Sequence, residues 1–336
     1  MGEKISLHIA SSGEGEAAEV INRIRALIGG GTKPEEVAVL YRANFQSRAL
    51  EEACLASGLP YQVIGTRFFE RKEVKDTLSW INAARNPESL SDIKRIINIP
   101  PRGIGKVTLA KLFSGEKNKL PLPTQRKIES FYALLKRVER ASLEKMPAEL
   151  LIYILAETGF REMLRLGGDE GKERLENIQE LVTLGARYKN MPQESALDKF
   201  LEDAALATDQ DALLQEGKGV RLMTVHASKG LEFPYVFITG LEDGLFPHTY
   251  EGDSEGSSGA AGYGGKERAE EERRLFYVAL TRAQRKLFLS CAETRIVFGK
   301  LELNAPSEFL ADIPQELMEI EYMREEELPA KTILFD

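Results

Sequence analysis

The chain has 336 residues and 43% apolar content, enough for two ordinary domains with real cores. A net charge of −8 and a pI of about 5.3 exclude a molecule that holds nucleic acid by total charge and leave only local basic patches for that task. Two cysteines, Cys54 and Cys291, with three histidines argue against a disulfide framework or a metal site, and no apolar run approaches membrane-spanning length, so the expected location is the cytoplasm.

In chain order, Ile5–Ala10 reads as a strand, about 16–27 as a helix, Val37–Arg42 as a strand, Ser47–Ser57 as a helix and Tyr61–Ile64 as a strand. From about 65 to 216 the periodicity is helical, as in Val74–Ala84, Leu150–Glu157 and Glu173–Tyr188. Strand–helix alternation then resumes. Strands are expected over Val220–Val225, Tyr235–Gly240 and Lys286–Ser290, with a helix ending near Thr281 and Arg282. In that helix Leu275, Val278 and Ala279 share a face, and Glu270–Glu272 are placed in the first turns, where the dipole favours acids. The pattern predicts an α/β domain with a mostly parallel sheet, discontinuous in sequence (1–64 and 217–318), interrupted by an all-helical domain over 65–216. The Gly- and Ser-rich stretch 251–266 is expected as a flexible loop, and 319–336 as a solvated acidic tail that includes Glu325–Glu327.

Four segments carry chemistry. Between the expected strands at 220–225 and 235–240 lie Thr224, His226, Ser228, Lys229, Gly230 and Glu232. In open α/β sheets ligands bind beyond strand carboxyl ends. A cation, an imidazole and a carboxylate there make a candidate site for phosphate, sugar and base, with Gly230 permitting a tight turn. The plain alternative is a solvated turn with Glu232 as a helix cap. Arg282 closes the later helix, and its guanidinium suits a transferring phosphoryl group; the alternative is an ion pair with an upstream glutamate. Arg42 ends the strand Val37–Arg42 and Asn44 lies just beyond it; Arg42 suits a phosphate and Asn44 a phosphate or base edge, or Arg42 is paired to Glu51 or Glu52. The fourth segment, Ile97–Leu109, reads as a hairpin with Gly103-Ile104-Gly105 before Lys106, or as a plain interhelical turn. Glycine amides at a helix start bind phosphate, and the following stretch is basic, with Lys111, Lys127, Lys136, Arg137 and Arg140. Gly105-Lys106 is not a P-loop, because Val107 follows the lysine and Pro100 replaces the first glycine. No other Gly-Lys pair does better, and no acidic run reads as a Walker B site.

These segments resemble superfamily 1 helicases of the UvrD/PcrA/Rep type from about Ile5 to Ile313. Val220–Phe233 is similar to motif V, Glu271–Ala283 to motif VI, and Val37–Arg48 to the segment after motif IV. Arg67–Asp76 and Arg174–Leu181 match linking segments. The resemblance implies the C-terminal half of an ATP-dependent 3′–5′ DNA helicase: a RecA-like motor domain 2A with an inserted 2B domain. Arg282 is then the arginine finger on the γ-phosphate, and Glu232 contacts the ribose, with Gly230 keeping the backbone close. Arg42, Asn44, Thr224, His226 and Lys229 face single-stranded DNA, and Gly103, Gly105 and Lys106 grip the duplex. ATP with Mg2+ is implied to bind mainly to an N-terminal half that this sequence does not match, so the chain alone is expected not to hydrolyse ATP. Partners implied are single-stranded and duplex DNA, that other half, and repair or replication proteins; no resident metal and no membrane are implied. Glu308 departs from the family, which usually carries a basic residue there. Outside the helicase reading stands a non-catalytic DNA- or protein-binding module.

Overall fold

The computed structural model describes residues 2–212, 219–248, 263–297 and 300–322. The chain forms two compact units: Met1–Gly65 with Leu214–Ile296 and Leu301–Asp336, and Thr66–Leu213 with Val297–Lys300. The first unit begins with β1 (Ile5–Ala10), α1 (Gly13–Gly29), β2 (Val37–Tyr41), α2 (Ser47–Ser57) and β3 (Tyr61–Ile64). The helices of the second unit follow: α3 (Lys72–Arg85), α4 (Leu90–Ile96), α5 (Lys106–Phe113), α6 (Leu122–Glu144), α7 (Pro147–Glu157), α8 (Phe160–Arg165), α9 (Gly168–Ala186) and α10 (Gln193–Ala212). The chain then adds β4 (Val220–Thr224), β5 (Phe233–Ile238), α11 (Tyr263–Leu280), β6 (Ala283–Ala292), β7 (Thr294–Val297), β8 (Lys300–Leu303) and β9 (Met318–Tyr322).

Among the described residues of the first unit, seven strands form one sheet in the order β3-β4-β2-β5-β6-β1-β9. Every pairing is parallel. At the centre, β2 is buried throughout, which explains its unbroken apolar sequence. Its side chains alternate between two cores. Val37, Val39 and Tyr41 join Val20, Ile24 and Leu50 on the α1–α2 face. Ala38 and Leu40 join Phe246, Phe276 and Phe309 on the α11 face. Because the strands run one way, the sheet has a carboxyl edge, beyond Ala10, Tyr41, Thr224 and Ile238, and an amino edge, before Phe233 and Ala283.

Three expectations are corrected here. Residues 319–322 are not the start of a solvated tail: they continue Met318 into β9, which pairs with β1 from Ile5↔Met318 to Ile9↔Tyr322. Met318 packs on the sheet core, and β9 satisfies the backbone of β1 along what would otherwise be an open edge. Residues 263–266, expected in the flexible loop, open α11; Glu270–Glu272 therefore sit well inside that helix, away from the first-turn amides. The remainder of the expected loop, 251–262, and Glu325–Glu327 lie outside the described residues.

The second unit is helical around its own core. In α6, Ile128, Phe131, Leu134, Leu135, Val138 and Ala141 form the buried stripe that 3.6-residue periodicity requires. Trp80 of α3 packs beside Phe131, with ring centroids 5.6 Å apart. The two linking segments meet here: Arg71 donates to Asn177 at 2.6 Å, and Asn177 donates to Glu73 at 2.7 Å.

Candidate functional site

The sheet sorts the candidate residues onto opposite edges. β4 and β5 both run parallel to β2, one on each side. The eight-residue link 225–232 between them must therefore return from the carboxyl edge to the amino edge. His226 leaves the end of β4, whereas Glu232 arrives at the start of β5. The expectation that the lysine, imidazole and carboxylate share one strand end is corrected: the crossover separates His226 from Glu232 by the length of the sheet.

At the amino edge, Phe233 N–H donates to Arg282 C=O at 2.9 Å and aligns the starts of β5 and β6. The half-buried Arg282 side chain donates through Nε to Val278 C=O and through its two terminal nitrogens to Leu231 C=O and Thr281 Oγ1, each at 2.9 Å. These bonds are to oxygens of the surrounding turn, in place of the upstream glutamate considered above. Glu232, next to Leu231, is exposed and accepts a hydrogen bond from Gln284 Nε2 at 3.3 Å. Gly230 has φ +85°, a left-handed conformation that favours glycine. The structure thus brings Arg282, Glu232 and Gly230 to one turn, with Gln284 as a member that sequence reasoning missed.

At the carboxyl edge, Val225 N–H donates to Tyr41 C=O at 2.9 Å and joins the ends of β4 and β2. Arg42 then grips Glu272 of α11: Nε lies 2.9 Å from each carboxylate oxygen, and a terminal nitrogen 2.5 Å from Oε1. The anticipated alternative partner Glu52 is instead held by Arg48 at 2.7 Å. Glu272 also accepts His248 N–H at 3.0 Å. Gln46, missed from sequence, accepts the Arg42 and Ala43 N–H groups at 3.0 and 2.7 Å. Asn44 is half-buried at the start of a single 3-10 turn, Asn44–Gln46. Thr224 Oγ1 accepts Ala227 N–H at 3.3 Å and orders the 3-10 turn His226–Ser228. That turn leaves His226 and Lys229 exposed.

Behind this edge lies a buried ionic group with no local sequence signal. Arg295 donates to Glu242 at 2.6 and 2.7 Å and also to Glu16. Glu16 accepts Gly240 N–H at 2.8 Å and Ser290 Oγ at 2.6 Å. Burial opposes the Arg295 charge, but the Glu16 and Glu242 carboxylates outweigh it and hold its pKa above the usual guanidinium value. The group anchors the loop from Gly240 to His248, which ends on Glu272.

In the second unit, Gly103 and Gly105 lie exposed on the loop between α4 and α5, and Lys106, also exposed, opens α5. The expected hairpin is corrected to an interhelical loop, because Asn98 rather than strand pairing closes it. Asn98 Oδ1 accepts the Arg102 and Ile104 N–H groups at 3.3 and 3.1 Å. Gly103 has φ +68°, and Lys127 Nζ lies 3.1 Å from where its Cβ would stand. Lys127 and Lys106 thus give the loop a local positive charge on an acidic protein.

A family model described as the UvrD-like helicase C-terminal domain matches residues 1–294. The chain belongs to that family. Its sheet and covering helices are those of a RecA-like helicase domain. Similar relatives include proteins named ATP-dependent DNA helicase PcrA. The one from Staphylococcus aureus (strain MRSA252) is 38% identical over 337 residues, covering 95% of this chain and 45% of the relative. Those from Staphylococcus epidermidis (ATCC 12228) and Bacillus subtilis (strain 168) are 37% and 36% identical, with the same coverage. This UvrD-like chain therefore spans less than half the length of the curated relatives it matches.

Proposed function

We propose that this chain is the second motor half of an ATP-dependent 3′–5′ DNA helicase, with the β-sheet unit as domain 2A and the helical unit as domain 2B. The observation that carries the reading is the division of the sheet into two chemically distinct edges. The amino edge offers Arg282 and Glu232, a guanidinium for phosphate oxygens and a carboxylate for ribose hydroxyls. The carboxyl edge offers Arg42, Asn44, Thr224, His226 and Lys229 to a single strand.

The donor set at the amino edge fits one side of a nucleotide. Arg282 is half-buried, and its bonds to Leu231 and Val278 carbonyls orient it without neutralising its charge. ATP with Mg2+ supplies the phosphoryl group and its charge neutralisation, held mainly by a P-loop-bearing domain outside these residues. Arg282 then stabilises charge on the transferring group, a role worth about 10³-fold or more in rate. Thr224 and the crossover 225–232 link the strand-facing edge to the nucleotide-facing edge, so closure at one is transmitted to the other. Gly103, Gly105, Lys106 and Lys127 give the helical unit a phosphate-binding loop for duplex DNA.

The test mixes this chain with the N-terminal half of a relative such as Bacillus subtilis PcrA and measures ATP hydrolysis with and without single-stranded DNA. The mixture should hydrolyse ATP in a DNA-stimulated manner, and the chain alone should not. Arg282→Ala should reduce turnover by roughly 10³-fold. Undiminished turnover by that variant, or turnover by the chain alone, overturns the assignment.

A further inference from the structure

Arg42 sits where the proposed single strand would pass, yet its guanidinium already holds an anion. The Glu272 carboxylate receives Nε on both oxygens at 2.9 Å and a terminal nitrogen at 2.5 Å. This is the side-on, multiply bonded geometry in which guanidinium also takes two phosphate oxygens. We propose that Glu272 is a positioning residue that occupies Arg42 in place of a DNA phosphate, and that the two anions exchange on this guanidinium when a single strand binds. The inference rests on the reading of the carboxyl edge as the single-strand face.

Three features favour exchange over a fixed structural bond. Glu272 keeps a hydrogen bond when Arg42 leaves, because His248 N–H donates to Oε2 at 3.0 Å, which lowers the cost of parting the pair. The Arg42 backbone is fixed independently by Gln46, so the guanidinium needs only side-chain rotation to change partner. The arginine side of the pair is reachable from solvent, with the Arg42 side chain 14% exposed beside Glu272 at 9%. The physical effect is selectivity. A bound carboxylate raises the threshold for anions, so a phosphate delivered to the site by the rest of the strand displaces it while isolated anions do not.

The experiment titrates the 336-residue chain with a fluorescent oligothymidylate at several KCl concentrations. Glu272→Gln keeps shape and removes charge. It should bind roughly tenfold tighter, with a log–log salt slope steeper by about 0.7, the value of one added phosphate contact on a single strand. Arg42→Gln in the Glu272→Gln background should cancel the gain. Glu272→Asp guards against misfolding of the first variant: its shorter reach loosens the grip and should give an intermediate gain. A carboxylate that only shapes the active Arg42 rotamer predicts the opposite sign, weaker binding in both variants. If both variants bind no tighter than the parent while Lys229→Ala weakens the parent, exchange is wrong and the DNA-facing edge stands. If neither the parent nor Glu272→Gln binds oligonucleotide, the DNA reading fails and takes the inference with it.

Discussion

Glu242 and Arg295 face each other behind the carboxyl edge of the sheet, joined by bonds of 2.6 and 2.7 Å, with the Glu242 side chain fully buried. Arg295 serves Glu16 as well, so a single cation balances two buried acids. Arg295→Met removes that balance and leaves two carboxylates without their counter-ion. It should destabilise the fold by about 3–5 kcal/mol, read as a lower urea midpoint with an unchanged m-value. A loss below about 1 kcal/mol would place the pair among surface-type ion pairs.

In the helical unit one terminal nitrogen of Arg102 donates to the carbonyls of Ile97, Ile99 and Pro100 at 3.0–3.1 Å. Its guanidinium lies 5.4 Å from the Trp80 ring centroid and 5.6 Å from that of Phe131. Burial holds its pKa below the usual guanidinium value. A lysine cannot reproduce a planar group stacked on two rings. Arg102→Lys should cost about 2 kcal/mol. Trp80 is the sole tryptophan of the chain, so its fluorescence reports unfolding of this unit directly. An unchanged midpoint by that signal would show that the stacking is idle.

Gly240 follows β5 with φ +72°, and a Cβ there would press on the Gln46 amide and lie 2.9 Å from Leu245 Cδ2. Gly240→Ala should therefore cost roughly 1–3 kcal/mol from backbone strain and crowding together. Part of that cost is the displaced Gln46. In a Gln46→Ala background the same change should cost measurably less, and full additivity of the two substitutions would refute the contact.

His8 on β1 is buried, and its pKa is lowered by burial and by the Arg23 guanidinium, against the opposing influence of Glu19, Glu321 and Glu16. The folded protein keeps His8 neutral at a pH where the unfolded chain already takes up a proton near its ordinary value of about 6.5. The unfolded state then binds more protons, so stability falls as pH drops below about 6.5 and levels off below the folded pKa. Glu321, held below the usual carboxylate range chiefly by its bond to Arg23, contributes only at lower pH. Urea midpoints between pH 7 and 5.5 should decline in the parent and flatten in His8→Asn. Parallel declines in both would exonerate His8.

The parts of this protein legible in its sequence are those where local pattern and burial agree. β2 reads as a strand because both its faces are covered and every residue is apolar. α6 shows its core stripe by spacing alone. β9 was obscured although Met318, Ile320 and Tyr322 do alternate, because Glu319 and Glu321 blend into an acidic end. The start of α11 was obscured by Gly264 and Gly265, because glycine has a low helix propensity. Arg42 with Glu272 and Arg295 with Glu16 lie 230 and 279 residues apart, and no local spacing encodes such pairs. The separation of His226 from Glu232 was inferable, since two parallel strands flanking a third demand a crossover, but it required the strand order first.

The order of the sheet also sets a timetable for synthesis. β2 and β3 emerge early, yet their neighbour β4 lies beyond the whole helical unit. Chain closure over that distance is slow and must precede any reward from pairing. The helical unit lies between β3 and β4 in sequence, so its more local contacts are expected to form ahead of the β3–β4 and β2–β4 pairings. The motor-like sheet is thus interrupted in sequence by a unit that carries its own core, and its closure is the long-range step of folding.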